Sequence, residues 1–103
     1  MTYSNSWKDV ERKLAKELGT LRLPNTGYGN PDFETERFSY QSKKRKSMPK
    51  WIWDAIDQAT ADASEGKVPV VAFTESKQGI KRKTLMVVTL EDWKKITGEG
   101  SNE

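Results

Sequence analysis

The chain has 103 residues, 34% of them hydrophobic and 32% charged, so we expect one small domain with a thin core and a very polar surface. It contains no cysteine and no histidine, which excludes disulfides, thiolate or imidazole metal sites, and catalysis by either side chain. Eighteen Lys and Arg residues against 15 Asp and Glu residues give a net charge of +3, with the basic residues clustered in sequence. This clustering favours a polyanionic partner.

The first predicted element is an amphipathic helix over residues 6–19. Its apolar residues recur at helical spacing, and they are Trp7, Val10, Leu14 and Leu18. Ser4 or Ser6 is suited to capping the start of this helix, and Gly19 is suited to ending it.

Three short strands are predicted next, over residues 21–23, 32–35 and 37–42. A turn-rich loop over residues 24–31 separates the first two, and residues 34–36 make the turn between the last two.

A second helix is predicted to start at Pro49, a residue favoured in the first turn, and to end at Gly66. Trp51 and Trp53 lie two residues apart in this helix and cannot share a face. We therefore expect one of these two side chains to lie in the core and the other to lie at a protein interface or to contact DNA.

Two nearly continuous apolar runs, 68–73 and 84–90, indicate buried strands joined by a basic loop. A capping box that begins at Thr89 predicts a last short helix through Ile96. We expect a single domain over residues 1–97 and a flexible tail over 98–103.

The predicted order of elements is α-β-β-β-α-β-β-α. The connection through the second helix is long enough to join parallel strands, so the order predicts an α/β fold with a mixed five-stranded sheet flanked by helices. No apolar run approaches the length of a membrane span and no signal segment is evident, so we expect a soluble cytoplasmic protein.

The segment from Pro31 to Lys50 carries the candidate chemistry. Asp32 begins one extended segment, and Gln41 and Lys43 lie two apart on the next, so they are expected on the same face. A run of basic residues follows directly. This is the pattern of a metal and phosphate site, with Gln41 at the position where a second carboxylate would be expected.

The P-D and Q-S-K pattern, in this order of elements, resembles the PD-(D/E)XK nuclease superfamily. The chain is similar to small phage and archaeal-type Holliday junction resolvases through WKDVERKLAKELG, RLPNTGYGNPD, SKKRKSMPKW, AIDQA, and VPVVAF followed by LMVVTLEDW. These features cover nearly the whole chain. The resemblance implies a restriction-endonuclease-like core and a homodimer that cuts opposed strands of a four-way DNA junction during recombination, in a bacterium or a phage-infected host cell.

The resemblance also implies roles for single residues. Asp32 would ligate Mg²⁺, for which Mn²⁺ can substitute. Gln41 stands at the position of the second metal ligand. Glu11 would help to hold the metal and its bound water. Lys43 would orient the water or stabilise charge on the phosphate, and Gln58 would brace the active-site strand. The residues predicted to contact DNA are Arg22, Thr26, Lys44, Arg45, Lys46, Lys50, Lys81 and Arg82.

Gln41 leaves three alternatives open. A glutamine offers a carbonyl oxygen but no negative charge, so metal affinity should fall unless Glu11, Glu34 or Glu36 compensates. The glutamine can also be a deliberate substitution that traps an inactive complex, or a natural loss that leaves a DNA-binding protein without cleavage.

Simpler interpretations stand beside these roles. Asp32 can serve as a turn former, the basic run as an ordinary solvated surface, and Glu11 as a surface glutamate next to the core-facing Val10.

At the level of the whole chain, the first hypothesis is a metal-dependent, structure-selective DNA endonuclease. The second is a non-catalytic junction-binding or phage interaction protein on the same fold. The third is an unrelated small basic domain, in which Asp32 and Lys43 would not converge in space.

Overall fold

The computed structural model describes residues 6–23 and 30–100. Within these residues the elements are α1 (Trp7–Glu17), β1 (Phe33–Glu34), β2 (Ser39–Tyr40), α2 (Lys50–Asp62), β3 (Val71–Glu75), β4 (Lys83–Val87) and α3 (Leu90–Thr97). The predicted mixed α/β class is confirmed. The described residues cluster into two compact units: those up to 46 together with 97–100 form unit 1, and residues 47–96 form unit 2.

Helix α1 of unit 1 begins and ends as the sequence predicts. The Ser6 hydroxyl caps it by accepting a hydrogen bond from the Asp9 backbone N–H at 3.2 Å. Past its C-terminus, Gly19 has a φ of +81°, a left-handed conformation that favours glycine. The helix packs on β1, and the apolar core of the described residues consists of Ala15, Leu18 and Phe33.

Strands β1 and β2 form an antiparallel hairpin in which Phe33 pairs with Tyr40 and Glu34 with Ser39. Both strands are shorter than the predicted 32–35 and 37–42. The hydrogen bonding extends past β1, because the Asp32 N–H donates to the Tyr40 carbonyl at 3.0 Å. On the other side, the Leu23 N–H donates to the Asp32 carbonyl at 2.9 Å. Residues 21–23 do not form the predicted strand. This one backbone hydrogen bond nevertheless places Leu23 beside Asp32, as it would lie in a neighbouring strand.

The first residues of the tail that is predicted to be flexible, 98–103, form side-chain contacts with the rest of unit 1. Both carboxylate oxygens of Glu99 accept hydrogen bonds, from the hydroxyls of Thr35 and Tyr40. In addition, Arg37 Nη2 donates to the Thr97 carbonyl at 2.6 Å. Residues 97–100 therefore form a strap on the β1–β2 hairpin, and the rest of the tail lies outside the described residues.

Unit 2 consists of α2, an antiparallel hairpin and α3 up to Ile96. Strands β3 and β4 pair from Val71 with Val87 through Glu75 with Lys83. Helix α2 packs on β3, where the Trp51 ring meets the Phe73 ring edge-on at 5.1 Å between centroids. Trp51 and Trp53 are both exposed, so neither is the core residue that we expected.

Helix α3 begins with the predicted cap. The Thr89 hydroxyl accepts a hydrogen bond from the Asp92 backbone N–H at 3.2 Å, and the helix extends one residue past the predicted end at Ile96.

The strands of the described residues form two separate two-stranded sheets, each antiparallel. The structure does not show the five-stranded sheet within these residues, nor parallel strands joined through α2. The apolar runs predict the four strands of the described residues, but they also predict one over 21–23 that is absent, and neither β3 nor β4 contains a buried residue as expected. The choice of partner depends on contacts that the pattern does not contain. In the described part of the chain, no helix has the length and apolar character needed to cross a membrane.

Candidate functional site

Three of the four predicted catalytic residues, Glu11, Asp32 and Lys43, line one cavity of about 260 Å³ in unit 1. They come from separate parts of the chain: α1, the residue before β1, and the segment after β2. The other lining residues are Trp7, Ser42 and Lys44. The cavity therefore combines two carboxylates and two ammonium groups with one indole wall.

Asp32 forms hydrogen bonds through its backbone, with Leu23 and Tyr40, and through its side chain. Its Oδ2 accepts a hydrogen bond from the Ser42 N–H at 2.6 Å. A bond from a backbone N–H to a carboxylate is short and strong because the acceptor is charged. This bond fixes the carboxylate against the segment that continues into Lys43.

Glu11 is the one buried charged residue among those described, with 4% of its surface exposed. Its Oε2 accepts a hydrogen bond from Nε of Arg22 at 2.6 Å. The guanidinium of Arg22 also lies over the Trp7 ring, 5.4 Å from the centroid. The interpretation of Glu11 as a surface glutamate is therefore wrong. The pairing with Arg22 has no signal in the spacing of the sequence.

Gln41 is exposed and is absent from the described residues that line the cavity. The expectation that it shares a face with Lys43 rested on a strand through residue 42, but β2 ends at Tyr40. The Ser42 N–H binds the Asp32 carboxylate. Beyond Tyr40 the strict alternation of strand side chains no longer applies, and Ser42, Lys43 and Lys44 all line the cavity.

The remaining predicted DNA contacts fall into both units. Arg22 is 17% exposed at its side chain and pairs with Glu11, as described above. Unit 1 also carries the exposed Lys44, Arg45 and Lys46, whereas unit 2 carries the exposed Lys50, Lys81 and Arg82. Lys50 forms an ion pair with Asp54 at 2.9 Å. Thr26 lies outside the described residues.

Gln58, the predicted brace, is an exposed residue of α2 in unit 2. It lines a shallow cavity of that unit together with Ala55, Ala59 and residues of β3.

The unit 1 cavity contains oxygen donors of the type that Mg²⁺ and Mn²⁺ prefer. Asp32 and Glu11 offer hard carboxylate oxygens, and protein-bound Mg²⁺ commonly takes only one or two carboxylates and completes its shell with water and substrate phosphate. The part of the chain that the structure describes contains no cluster of three acidic side chains suited to a metal. Glu34 and Glu36, the other two acids that could compensate for Gln41, are exposed and do not line the cavity.

Comparisons of the chain with protein-family models, with curated proteins and with solved structures found no match.

Proposed function

We propose that this chain is a metal-dependent, structure-selective DNA endonuclease of the Holliday junction resolvase type. It acts in the cytoplasm, as a homodimer, on branched DNA such as a four-way junction. The fold that belongs to this proposal is a restriction-endonuclease-like core with a mixed five-stranded sheet. Since Gln41 stands where such nucleases carry an acid, we propose that cleavage is reduced or abolished.

The observation that carries the proposal is the cavity shared by Glu11, Asp32 and Lys43. These are three of the four residues to which the resemblance assigns the chemistry, and they come from distant parts of the sequence. An unrelated small basic domain gives no reason for such residues to converge. The backbone bonds that place Leu23, Asp32 and Tyr40 side by side also support a wider sheet around this site.

The proposal gives the polar residues of the cavity roles in phosphodiester hydrolysis. Asp32 and Glu11 would hold Mg²⁺, which when bound supplies Lewis-acid stabilisation of the charge that develops on the phosphate. The Ser42 N–H keeps the Asp32 carboxylate in place. The ammonium group of Lys43 would stabilise negative charge on the phosphate oxygens, and the neighbouring Lys44 would add a contact to the DNA backbone.

The proposal is tested by restoring the missing acid. We expect Gln41→Glu to cleave a synthetic four-way junction roughly tenfold faster than the unsubstituted chain in Mg²⁺ or Mn²⁺, because residue 41 directly precedes the cavity residue Ser42 and the proposal gives a carboxylate at this position a share in metal binding. The linear arms of the same junction serve as the comparison substrate for structure selectivity. Gel analysis of end-labelled strands measures both rates.

The control for this assay is Asp32→Asn in the Gln41→Glu background. It keeps the size of the side chain but removes the carboxylate, so cleavage should be lost while junction binding persists. Cleavage that survives this change would exclude Asp32 as a metal ligand. Absence of cleavage in every variant, together with tight junction binding, would replace the proposed activity by the second candidate.

The second candidate is a non-catalytic protein that binds branched DNA on the same fold. Two observations favour it: Gln41 does not line the cavity, and the charge of Glu11 is neutralised by Arg22. The cavity then contributes positive charge from Lys43 and Lys44 to a surface that binds the phosphate backbone.

A further inference from the structure

We propose that Arg22 is a positioning residue that holds Glu11 in the metal-free protein and competes with a divalent cation for this carboxylate. This inference rests on the proposed function, since it assigns Glu11 to a metal site. It changes the role of Arg22, which the sequence predicts as a DNA contact.

The first argument is the burial of the pair. The side chain of Glu11 is 5% exposed and that of Arg22 is 17% exposed, with Nε and Oε2 2.6 Å apart. Because a buried carboxylate is unfavourable without a partner, Arg22 supplies the positive charge that this position needs in the absence of metal. The Trp7 ring beneath the guanidinium holds it in place.

The second argument is the balance of charge at the cavity. Two carboxylates, Glu11 and Asp32, line the cavity together with Lys43 and Lys44, and the guanidinium of Arg22 is bound to Glu11. The positive charges outnumber the negative ones, and a cation within a few ångströms opposes the binding of another cation. Removing the charge of Arg22 both frees Glu11 and lowers this repulsion.

A second arginine of the same unit provides a matched control. Arg12 forms an ion pair with Asp9 at 2.7 Å, but its side chain is 59% exposed and the pair does not line the cavity. Exposed pairs of this kind contribute little because water screens them. Arg12→Gln therefore makes the same chemical change at a position where the proposal predicts no effect.

The experiment measures Mn²⁺ binding to the DNA-free protein by electron paramagnetic resonance or calorimetry. We expect Arg22→Gln to bind Mn²⁺ roughly three- to tenfold more tightly than the natural chain. Arg12→Gln should bind as the natural chain does. In the Glu11→Gln background the change at Arg22 should have a smaller effect, because it then removes only the direct repulsion between the guanidinium and the cation.

The outcomes separate this inference from the proposed function. If Asp32→Asn binds Mn²⁺ as well as the natural chain, the metal site of the proposed function is wrong, and the inference fails with it. If Asp32→Asn loses binding while Arg22→Gln binds equally or more weakly than the natural chain, the inference alone is wrong. Arg22→Lys is used where thermal melting shows that Arg22→Gln is unfolded. Its less rigid contact predicts an intermediate affinity, and an unchanged or lower affinity overturns the inference.

Discussion

Phe33 is the largest fully buried side chain among the described residues, with none of its surface exposed. Its ring stacks on that of Tyr40 with 4.8 Å between the centroids. The next residue on its N-terminal side is Asp32, so the packing of Phe33 also fixes the backbone that carries this candidate ligand. The core of unit 1 and the cavity therefore depend on the same side chain.

We expect Phe33→Ala to lower the free energy of unfolding by about 3–5 kcal/mol, because it removes buried apolar surface and leaves a cavity. Phe33→Leu should lower the free energy of unfolding by clearly less than Phe33→Ala does, because leucine keeps more of the buried apolar surface. The half-buried Phe38 of the same hairpin is the control, and Phe38→Ala should cost less than Phe33→Ala. Urea denaturation followed by tryptophan fluorescence measures all three, and equal costs at the two positions would contradict this view of the core.

Single residues of the site differ in how far the sequence could predict them. Asp32 and Lys43 belong to a pattern of residue types at fixed spacing, and the structure brings them to one cavity. The sequence could not choose between Glu11 on the surface and Glu11 at the site, because neighbouring helix positions border the same apolar stripe. The partner of Glu11 depends on tertiary packing, which periodicity does not report.

At the level of elements, the strap of residues 97–100 stabilises the β1–β2 hairpin. A two-stranded hairpin is marginally stable by itself, and each strand here has only two residues. Glu99 accepts hydrogen bonds from hydroxyls at both ends of this short hairpin, from Thr35 and from Tyr40. The strap therefore limits how far the two strands can separate.

We expect Glu99→Ala to lower the free energy of unfolding by about 1–3 kcal/mol, because it leaves two part-buried hydroxyls without their charged acceptor. Glu99→Gln, which retains one acceptor oxygen, should cost less. Chemical denaturation gives these values, and hydrogen exchange of the Thr35 amide reports local opening. Glu36→Ala, an exposed acid in the same turn, is the control. A loss as large at Glu36 as at Glu99 would argue against a specific role for the strap.

The positions of the elements could largely be predicted, whereas their lengths and pairing could not. Helix α1 and the Thr89 cap follow from local periodicity and capping chemistry. Strand β2 ends early because the Ser42 N–H binds the side chain of Asp32, a competition that no propensity describes. The five-stranded sheet required long-range pairings, and the sequence contains no direct signal for them.

At the level of the whole molecule, a run of basic residues begins at the cavity and continues past it in the sequence. Lys44, Arg45 and Lys46 are all exposed in unit 1. Binding of cationic side chains to DNA phosphates releases counterions, so each contact adds to the salt dependence of affinity. The run is expected to set the affinity for any DNA sequence, since phosphate contacts carry no base information.

We expect replacement of all three by glutamine to weaken junction binding across DNA sequences. The slope of log affinity against log salt should become shallower by about 2–3 between roughly 50 and 200 mM salt, for three lost phosphate contacts. Fluorescence anisotropy of a labelled junction measures this slope. The control replaces three other exposed lysines, Lys13, Lys16 and Lys67, which should leave the slope nearly unchanged. An equal effect of both sets would indicate that net charge, rather than the basic run, determines binding.

Because the strap belongs to unit 1, this unit is built from two pieces of chain with all of unit 2 between them in the sequence. The bond between Thr35 and Glu99 joins residues 64 positions apart. Contacts of such high sequence separation form slowly, since a long loop has to close first. On the ribosome, the residues that line the cavity emerge early, but the bond that completes the hairpin forms only after Glu99 has been synthesised. We therefore expect unit 1 to reach its full stability late in translation, after the whole of unit 2 has been made.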